Sequence, residues 1–371
     1  MQLFKPNISE EAIEAVIKVL RSGWIGLGPK TKEFEDNFAK YIGAKYAVAL
    51  NSCTAALHLA LIVSGIDEGD EVITTPLTFV STNHVIKYLR AIPVFADIDP
   101  GTYCIGPKSI EKMITKKTKA IIAMHYGGHP CDLVKVYKIA KKYNLEVIED
   151  AAHACGSSYE GKKIGSFGLT CFSFHAVKNL PVGDGGMITT NDEKKYKRFK
   201  RLRWLGIDKD TYTRTDQDDK KPGAYAWKYD VPELGYKYHM NDITAAIGIE
   251  QLKLLEEQNA YRRKLAAIYN NELNHKDIIT LPYVSSKVNT SQHLYVIQVR
   301  RREDLIRKLK NNGIAPGVHY IPNNIFPMYK NCRADVNNAM KVSENILSLP
   351  MHTLITENDI RRVIKIINSG W

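Results

Sequence analysis

At 371 residues the chain is too long for one small core, and it predicts two domains or a large domain with a smaller companion. Its hydrophobic fraction of 44% and charged fraction of 25% are those of an ordinary globular protein, and no apolar run approaches the roughly 18 residues that a membrane helix needs. The net charge of +12 raises nucleic acid as a partner, but the lysines fall in helix-like stretches such as KVYKIAKKYN and EKKYKRFKRLRW, without a nucleic-acid motif. A small polyanionic substrate is the better expectation, and nucleic acid is set aside.

In chain order, MQLFKPNISEEAIEAVIKVL reads as an amphipathic helix behind an N-cap at Ser9 and not as a signal peptide, which makes the cytoplasm the expected location. KYAVALN predicts a strand and CTAALHLALIVSG a helix. DEVITTP, IPVFADI, KAIIAMH, LEVIED and LTCFSFH predict further strands, with helices at FVSTNHVIKYLR, SIEKMITKK and DLVKVYKIAKKYN between them. Strands alternating with helices of this length imply an α/β fold with a mostly parallel sheet, covered on both faces, and ligands at the carboxyl ends of the strands. Asn51, Thr78, His125, Asp150 and His175 fall at or just after such ends. The polar stretch around residues 208–230 has no period and predicts a loop on the substrate side or at an interface.

From about residue 240 the pattern changes to one or two long helices, then the strand HLYVIQVR, the helix REDLIRKLKNNG and a last helix, TENDIRRVIKIINSG. Residues 1–250 are therefore expected to form the large domain and residues 251–371 a smaller α+β domain. The six cysteines, Cys53, Cys104, Cys131, Cys155, Cys171 and Cys332, are scattered without metal-like spacing; reduced thiols are expected, with no metal site and no disulfide framework.

Four segments carry chemistry. In CFSFHAVKNLPVGDGGMITT, Lys178 precedes the turn Gly183-Asp184-Gly185-Gly186. A lysine held there, with its pKa lowered by burial, can form a Schiff base with a carbonyl. In VIEDAAHACGS, Asp150 ends a strand, where it either caps a helix or pairs with the protonated ring nitrogen of pyridoxal 5'-phosphate (PLP). His153 follows within a turn, placed to stack on that ring or to reach its phenolic oxygen. In LNSCTAALHLAL a strand runs into a helix start, and Cys53 and Thr54 would hold a phosphate at its free N–H groups. In TTPLTFVSTN, Phe79 is either a core residue or a platform for a flat ring. Ser173 adds a hydroxyl. A phosphate site, a stacking aromatic, a carboxylate, a hydroxyl and a lysine follow one another in the order a fold-type-I PLP enzyme needs.

These motifs, with SGWIGLGPKTKEFEDNFAKYIGAKYAVAL before them and LGYKYHMNDITAAIGIEQL, GVHYIP and LSLPMH after them, resemble the DegT/StrS-type sugar aminotransferases nearly end to end. The resemblance implies a fold-type-I PLP-dependent transferase with a large mostly parallel mixed sheet and a smaller C-terminal α+β domain. It implies PLP, with pyridoxamine 5'-phosphate (PMP) as intermediate, linked to Lys178, paired with Asp150 and stacked on Phe79. His153 would lie near the phenolic oxygen, and Ser173, Cys53 and Thr54 would contact the phosphate. It implies a homodimer in which Lys237 reaches the partner subunit's cofactor, and a substrate side built from His239, His319 and Tyr320. GYKYHM departs from the usual Asn-Tyr-Arg, and Pro-Val-Gly-Asp-Gly-Gly from Thr-Thr-Gly-Glu-Gly-Gly. The activity implied is transfer of an amino group from an amino acid, L-glutamate foremost, to a nucleotide-linked keto-sugar. Sugar dehydratases of the same family carry histidine in place of Lys178, which argues against that rival. The residues also leave open a keto-cyclitol aminotransferase and a non-catalytic regulatory protein of the same fold.

Overall fold

The computed structural model describes residues 1–208 and 229–371, so nearly all of the polar stretch expected to form a loop around residues 208–230 lies outside the described residues. Apolar runs rich in Val, Ile and Ala form β1 (Tyr46–Leu50), β2 (Glu71–Thr74), β3 (Ile92–Ala96), β4 (Thr118–Met124) and β5 (Glu146–Asp150). After two short strands, β6 (Ser158–Tyr159) and β7 (Lys162–Lys163), come β8 (Leu169–Ser173) and β9 (Gly186–Thr190). The C-terminal third contributes β10 (Ile278–Thr280), β11 (Val288–Asn289), β12 (Tyr295–Val299), β13 (Ala334–Asp335) and β14 (Ile346–Leu349).

The main sheet has the order β1-β9-β8-β5-β4-β2-β3-β13. Every pairing from β8 to β13 is parallel, while β9 runs antiparallel to both β1 and β8. Both faces are covered, as continuous apolar strands require. Ala47, Ala49, Ile121, Ala123 and Val147 join one buried cluster, and Val48, Leu50, Ala120, Ile122 and Ile148 join the other. A third cluster, from Leu265 to Ile367, surrounds the small sheet β10-β12-β14.

The helices that position the site are α1 (Glu10–Ser22), α2 (Pro29–Ile42), α3 (Cys53–Val63), α4 (Ser81–Tyr88), α5 (Pro107–Met113), α6 (Leu133–Tyr143), α7 (Glu193–Leu202) and α8 (Asp242–Glu272). Ser9 caps α1, its hydroxyl accepting from Ala12 N–H at 3.2 Å. The region expected to be one or two helices is the single 31-residue α8, about 46 Å long, and the boundary expected at residues 250/251 lies inside it. Its first half packs Ala245, Ile249 and Leu255 into the large core, and its second half packs Leu265 and Tyr269 into the small one.

The start of α8 also completes α2. Gly28, the N-cap of α2, has no side chain to satisfy the free N–H groups of the first turn. Asp242 does so from across the fold. Its carboxylate accepts from Gly28 N–H (3.0 Å), Lys30 N–H (3.0 Å), Thr31 N–H (2.8 Å) and the Thr31 hydroxyl (2.7 Å). Removing all four bonds with Asp242→Ala is expected to cost about 3 kcal/mol and to lower the thermal unfolding midpoint by several degrees. An unchanged midpoint would show that water replaces the carboxylate.

Candidate active site

The carboxyl ends of β1, β2, β4, β5 and β8 surround a cavity of about 360 Å³. Its lining includes Cys53, Thr54, Phe79, Asp150, His153, Ser173, Lys178, His319 and Tyr320. Nine residues expected to act at a site, spread from position 53 to position 320, are thus brought to one place.

Lys178 stands on the turn from β8 to β9. Its N–H donates to His175 O (2.8 Å) and Val182 N–H returns to Phe174 O (2.9 Å), so the chain doubles back tightly; Gly183 takes the left-handed conformation at φ 96°. Burial pulls the Lys178 amine down to about 8, against Asp150 and Cys53, which raise it. A minor but appreciable part of the amine, about a tenth at pH 7, is therefore neutral.

Asp150 ends β5 with its carboxylate held from two sides. Thr82 Oγ1–H donates to Oδ2 at 2.7 Å, and Ala152 N–H donates to Oδ1 at 3.1 Å. Thr82 is oriented in turn by Thr78, hydroxyl to hydroxyl at 2.8 Å. Burial pushes the Asp150 carboxyl up, with Thr82, Ala152 and Lys178 opposing. A cationic partner in the cavity would favour its ionised form. His125 is set behind the cavity: its N–H donates to Asp150 O (3.0 Å) and its ring bonds the buried Glu149 (3.1 Å).

Opposite the lysine turn lies the start of α3. Ser52 caps the helix, accepting from Ala55 N–H at 3.1 Å, which leaves the N–H groups of Cys53 and Thr54 for an anion. Gly186 packs directly against this turn: a Cβ there would stand 2.4 Å from the carbonyl carbon and oxygen of Ser52. Burial pushes the Cys53 thiol up, so it remains a neutral group. Ser173 adjoins it, its hydroxyl accepting from His175 N–H at 3.4 Å.

The far wall is aromatic. His153 Nδ1 accepts from Gly127 N–H (3.3 Å), and Nε2 meets the Tyr320 hydroxyl at 3.0 Å. Phe79 is exposed at the rim, its ring 6.4 Å from that of Tyr320. His319 bonds Ser348 Oγ at 2.8 Å, and burial lowers its pKa to about 4. An anion cradle, a buried carboxylate and a partly neutral amine in a cavity with an aromatic rim fit the phosphate, ring nitrogen and carbonyl of PLP.

Residues 6–368 match the DegT/DnrJ/EryC1/StrS aminotransferase family. The chain belongs to that family. It is 44% identical to an uncharacterized protein of Methanocaldococcus jannaschii, over 98% of this chain and 96% of the other. It is 41% identical to the spore coat polysaccharide biosynthesis protein SpsC of Bacillus subtilis, over 98% and 95%. The structure of the sugar aminotransferase CalS13 from Micromonospora echinospora superposes with a TM-score of 0.91 at 30% identity, covering 100% of this chain and 99% of that one. The fold expected from the sequence is thereby established, as is the activity class: this aminotransferase is a transferase of nitrogenous groups. The family depends on PLP, and PLP and PMP forms occur among the similar solved structures.

Two expected site residues of the aminotransferase stand outside the cavity of their own chain. Lys237 lies with its amine 3.4 Å above the Trp204 ring, and His239 bridges to Leu50 with its ring edge-on to Trp204 at 4.5 Å. The lining also holds residues not expected from the sequence, among them Thr82, Phe4 and His293. Thr82 stands in the first turn of α4, four residues after Thr78, and the bend between them brings the two hydroxyls together. Phe4 and His293 carry no local signal; they arrive from the N-terminus and from the segment before β12.

Gly186→Val is expected to raise the dissociation constant for PLP at least about tenfold, because the Ser52 turn must move to admit the side chain. A fluorescence titration measures it, and unchanged affinity would show that the turn is not the cradle.

Proposed function

We propose that this aminotransferase moves an amino group from an amino acid, with L-glutamate the first candidate, to a nucleotide-linked keto-sugar of the 4-keto- or 3-keto-6-deoxy type. The observation that carries the reading is the grouping of Lys178, Asp150 and the α3 N-terminus around one cavity. When bound, PLP supplies the electron sink that makes the C–H bond beside the transferred nitrogen acidic. The protein's residues do the rest. The N–H groups of Cys53 and Thr54, with the hydroxyls of Thr54 and Ser173, hold the phosphate; Asp150 keeps the ring nitrogen protonated; Phe79 covers one face. The neutral Lys178 Nζ takes the proton from the substrate carbon and returns it on the other side of the transfer. His153 and Tyr320 form the hydrogen-bonding wall opposite, and His319 stands with Tyr320 on the substrate side.

The sugar class is supported by SpsC, named for polysaccharide biosynthesis, and by CalS13, a sugar aminotransferase. The net charge of +12 favours an anionic, nucleotide-linked acceptor. We assign a homodimer in which Lys237 and His239 serve the partner's cavity, which accounts for their place outside their own. The cytoplasm is the proposed compartment: all six cysteines are free thiols, the state that a reducing compartment maintains. Among the described residues no helix is long and apolar enough to cross a membrane.

The visible spectrum of the PLP-loaded protein tests the reading. L-glutamate should convert the lysine-linked band to that of PMP, and a keto-sugar nucleotide should restore it. A band that glutamate leaves unchanged would remove the proposed donor.

A further inference from the structure

His293 lines the cavity, is 2% exposed, and is not among the residues that the sequence assigned to the site. Its protonation pattern follows from a chain of hydrogen bonds. Asn259 Nδ2 donates to Cys155 O (3.0 Å), so Asn259 Oδ1 is an acceptor. Asn179, the neighbour of Lys178, spends its Nδ2 hydrogens on that Oδ1 (2.7 Å) and on Ser291 O (2.8 Å). The Asn179 atom 2.9 Å from His293 Nδ1 is therefore the carbonyl oxygen, which can only accept. His293 must carry its proton on Nδ1, and Nε2 keeps a bare lone pair.

That lone pair has no partner among the described residues. The ring is fixed between Phe4, parallel to it with centroids 5.5 Å apart, and His153, whose centroid is 4.4 Å away. The ring lines the cavity, where a donor from the ligand is the natural complement of that lone pair. A second cation is poorly suited to this place: burial lowers the pKa of His293, and His153, Lys178, Arg262 and His319 act in the same direction. A neutral O–H donor suits it.

We infer that His293 Nε2 is a specificity contact that accepts a hydrogen bond from a hydroxyl of the acceptor sugar, and that Asn179 holds it ready by fixing the ring tautomer. The inference rests on the proposed keto-sugar acceptor and adds which protein atom reads it.

The first test uses ¹⁵N-histidine-labelled PLP-loaded protein and NMR, with the His293 signals assigned by their loss in His293→Phe or, should that variant not fold, His293→Gln. A proton on Nδ1 with Nε2 bare is expected, and a proton on Nε2 overturns the inference. The second follows the two half-reactions of His293→Phe by absorbance. L-glutamate serves as donor and a panel of dTDP- and UDP-linked 4-keto- and 3-keto-6-deoxyhexoses as acceptors. Loss of one neutral hydrogen bond should lower kcat/KM for the acceptor half-reaction about tenfold more than for the donor half-reaction. Equal losses in the two halves overturn the contact. If the wild type exchanges with glutamate but with no sugar of the panel, the proposed acceptor fails and the contact falls with it, whereas wild-type turnover combined with equal losses removes the contact alone.

Discussion

Lys178→Ala should abolish amino transfer, with a loss of at least about 10³-fold, while leaving a folded protein that still takes up PLP reversibly. The lysine has two duties, to hold the cofactor and to carry the proton between substrate carbons, and alanine can do neither. The cradle at Ser52–Thr54 and the Asp150 carboxylate are untouched by the change, so cofactor binding should weaken without vanishing. The check is the spectrum: the lysine-linked band should be absent, and glutamate should produce no PMP at the wild-type rate. A variant that keeps the band would mean that another amine is the attachment point.

The pH dependence of cofactor capture in the wild type tests the same residue. Its pKa is lowered to about 8, so the neutral, nucleophilic form grows as pH rises through that value. At pH 7 about a tenth of the amine is neutral, and the capture rate should climb roughly tenfold per pH unit below the pKa before levelling above about 9. A rate that is flat from pH 6 to 9 would contradict the burial that lowers it.

Asp150→Asn should slow transfer by about a hundredfold or more. The carboxylate is the negative charge placed to keep the ring nitrogen protonated, and two pK units of proton affinity at that nitrogen correspond to this factor. Asparagine preserves size, and its oxygen can accept from Ala152 N–H while its NH2 donates to the Thr82 hydroxyl, so the fold and the cradle should survive. Stopped-flow absorbance would show PLP bound and attached, with the conversion by glutamate slowed. Full activity would mean that the ring nitrogen has another partner. Thr82→Val should give a smaller loss in the same direction, since it removes one of the two groups that hold the carboxylate.

Much of this site was legible before folding because its parts obey local rules. A carboxylate at a strand end, a small polar turn before a helix and a lysine ahead of a glycine turn each declare themselves within a dozen residues. The strand-end rule then places them on one edge of the sheet. Ser9 was legible as a cap for the same reason, since its partner Ala12 lies three residues away. His153 and Tyr320 were expected as separate contacts, but their hydrogen bond spans 167 residues and no window contains it.

The sequence by itself determined the alternation of strands and helices, the two-sided burial of the sheet, the order of the chemical groups and hence the family. These depend on periodicity, caps and turn residues, all short-range properties of the chain. Only the tertiary structure decided that β9 runs against its neighbours, and that β13 joins β3 from more than 200 residues away. It decided too that Asp242 caps a helix 211 to 214 residues earlier, and that Asn179 sets the tautomer of His293. The physical reason is that a buried polar group must find a partner, and the partner is whatever side chain close packing brings within about 3 Å. That choice belongs to the closed fold and has no local signature.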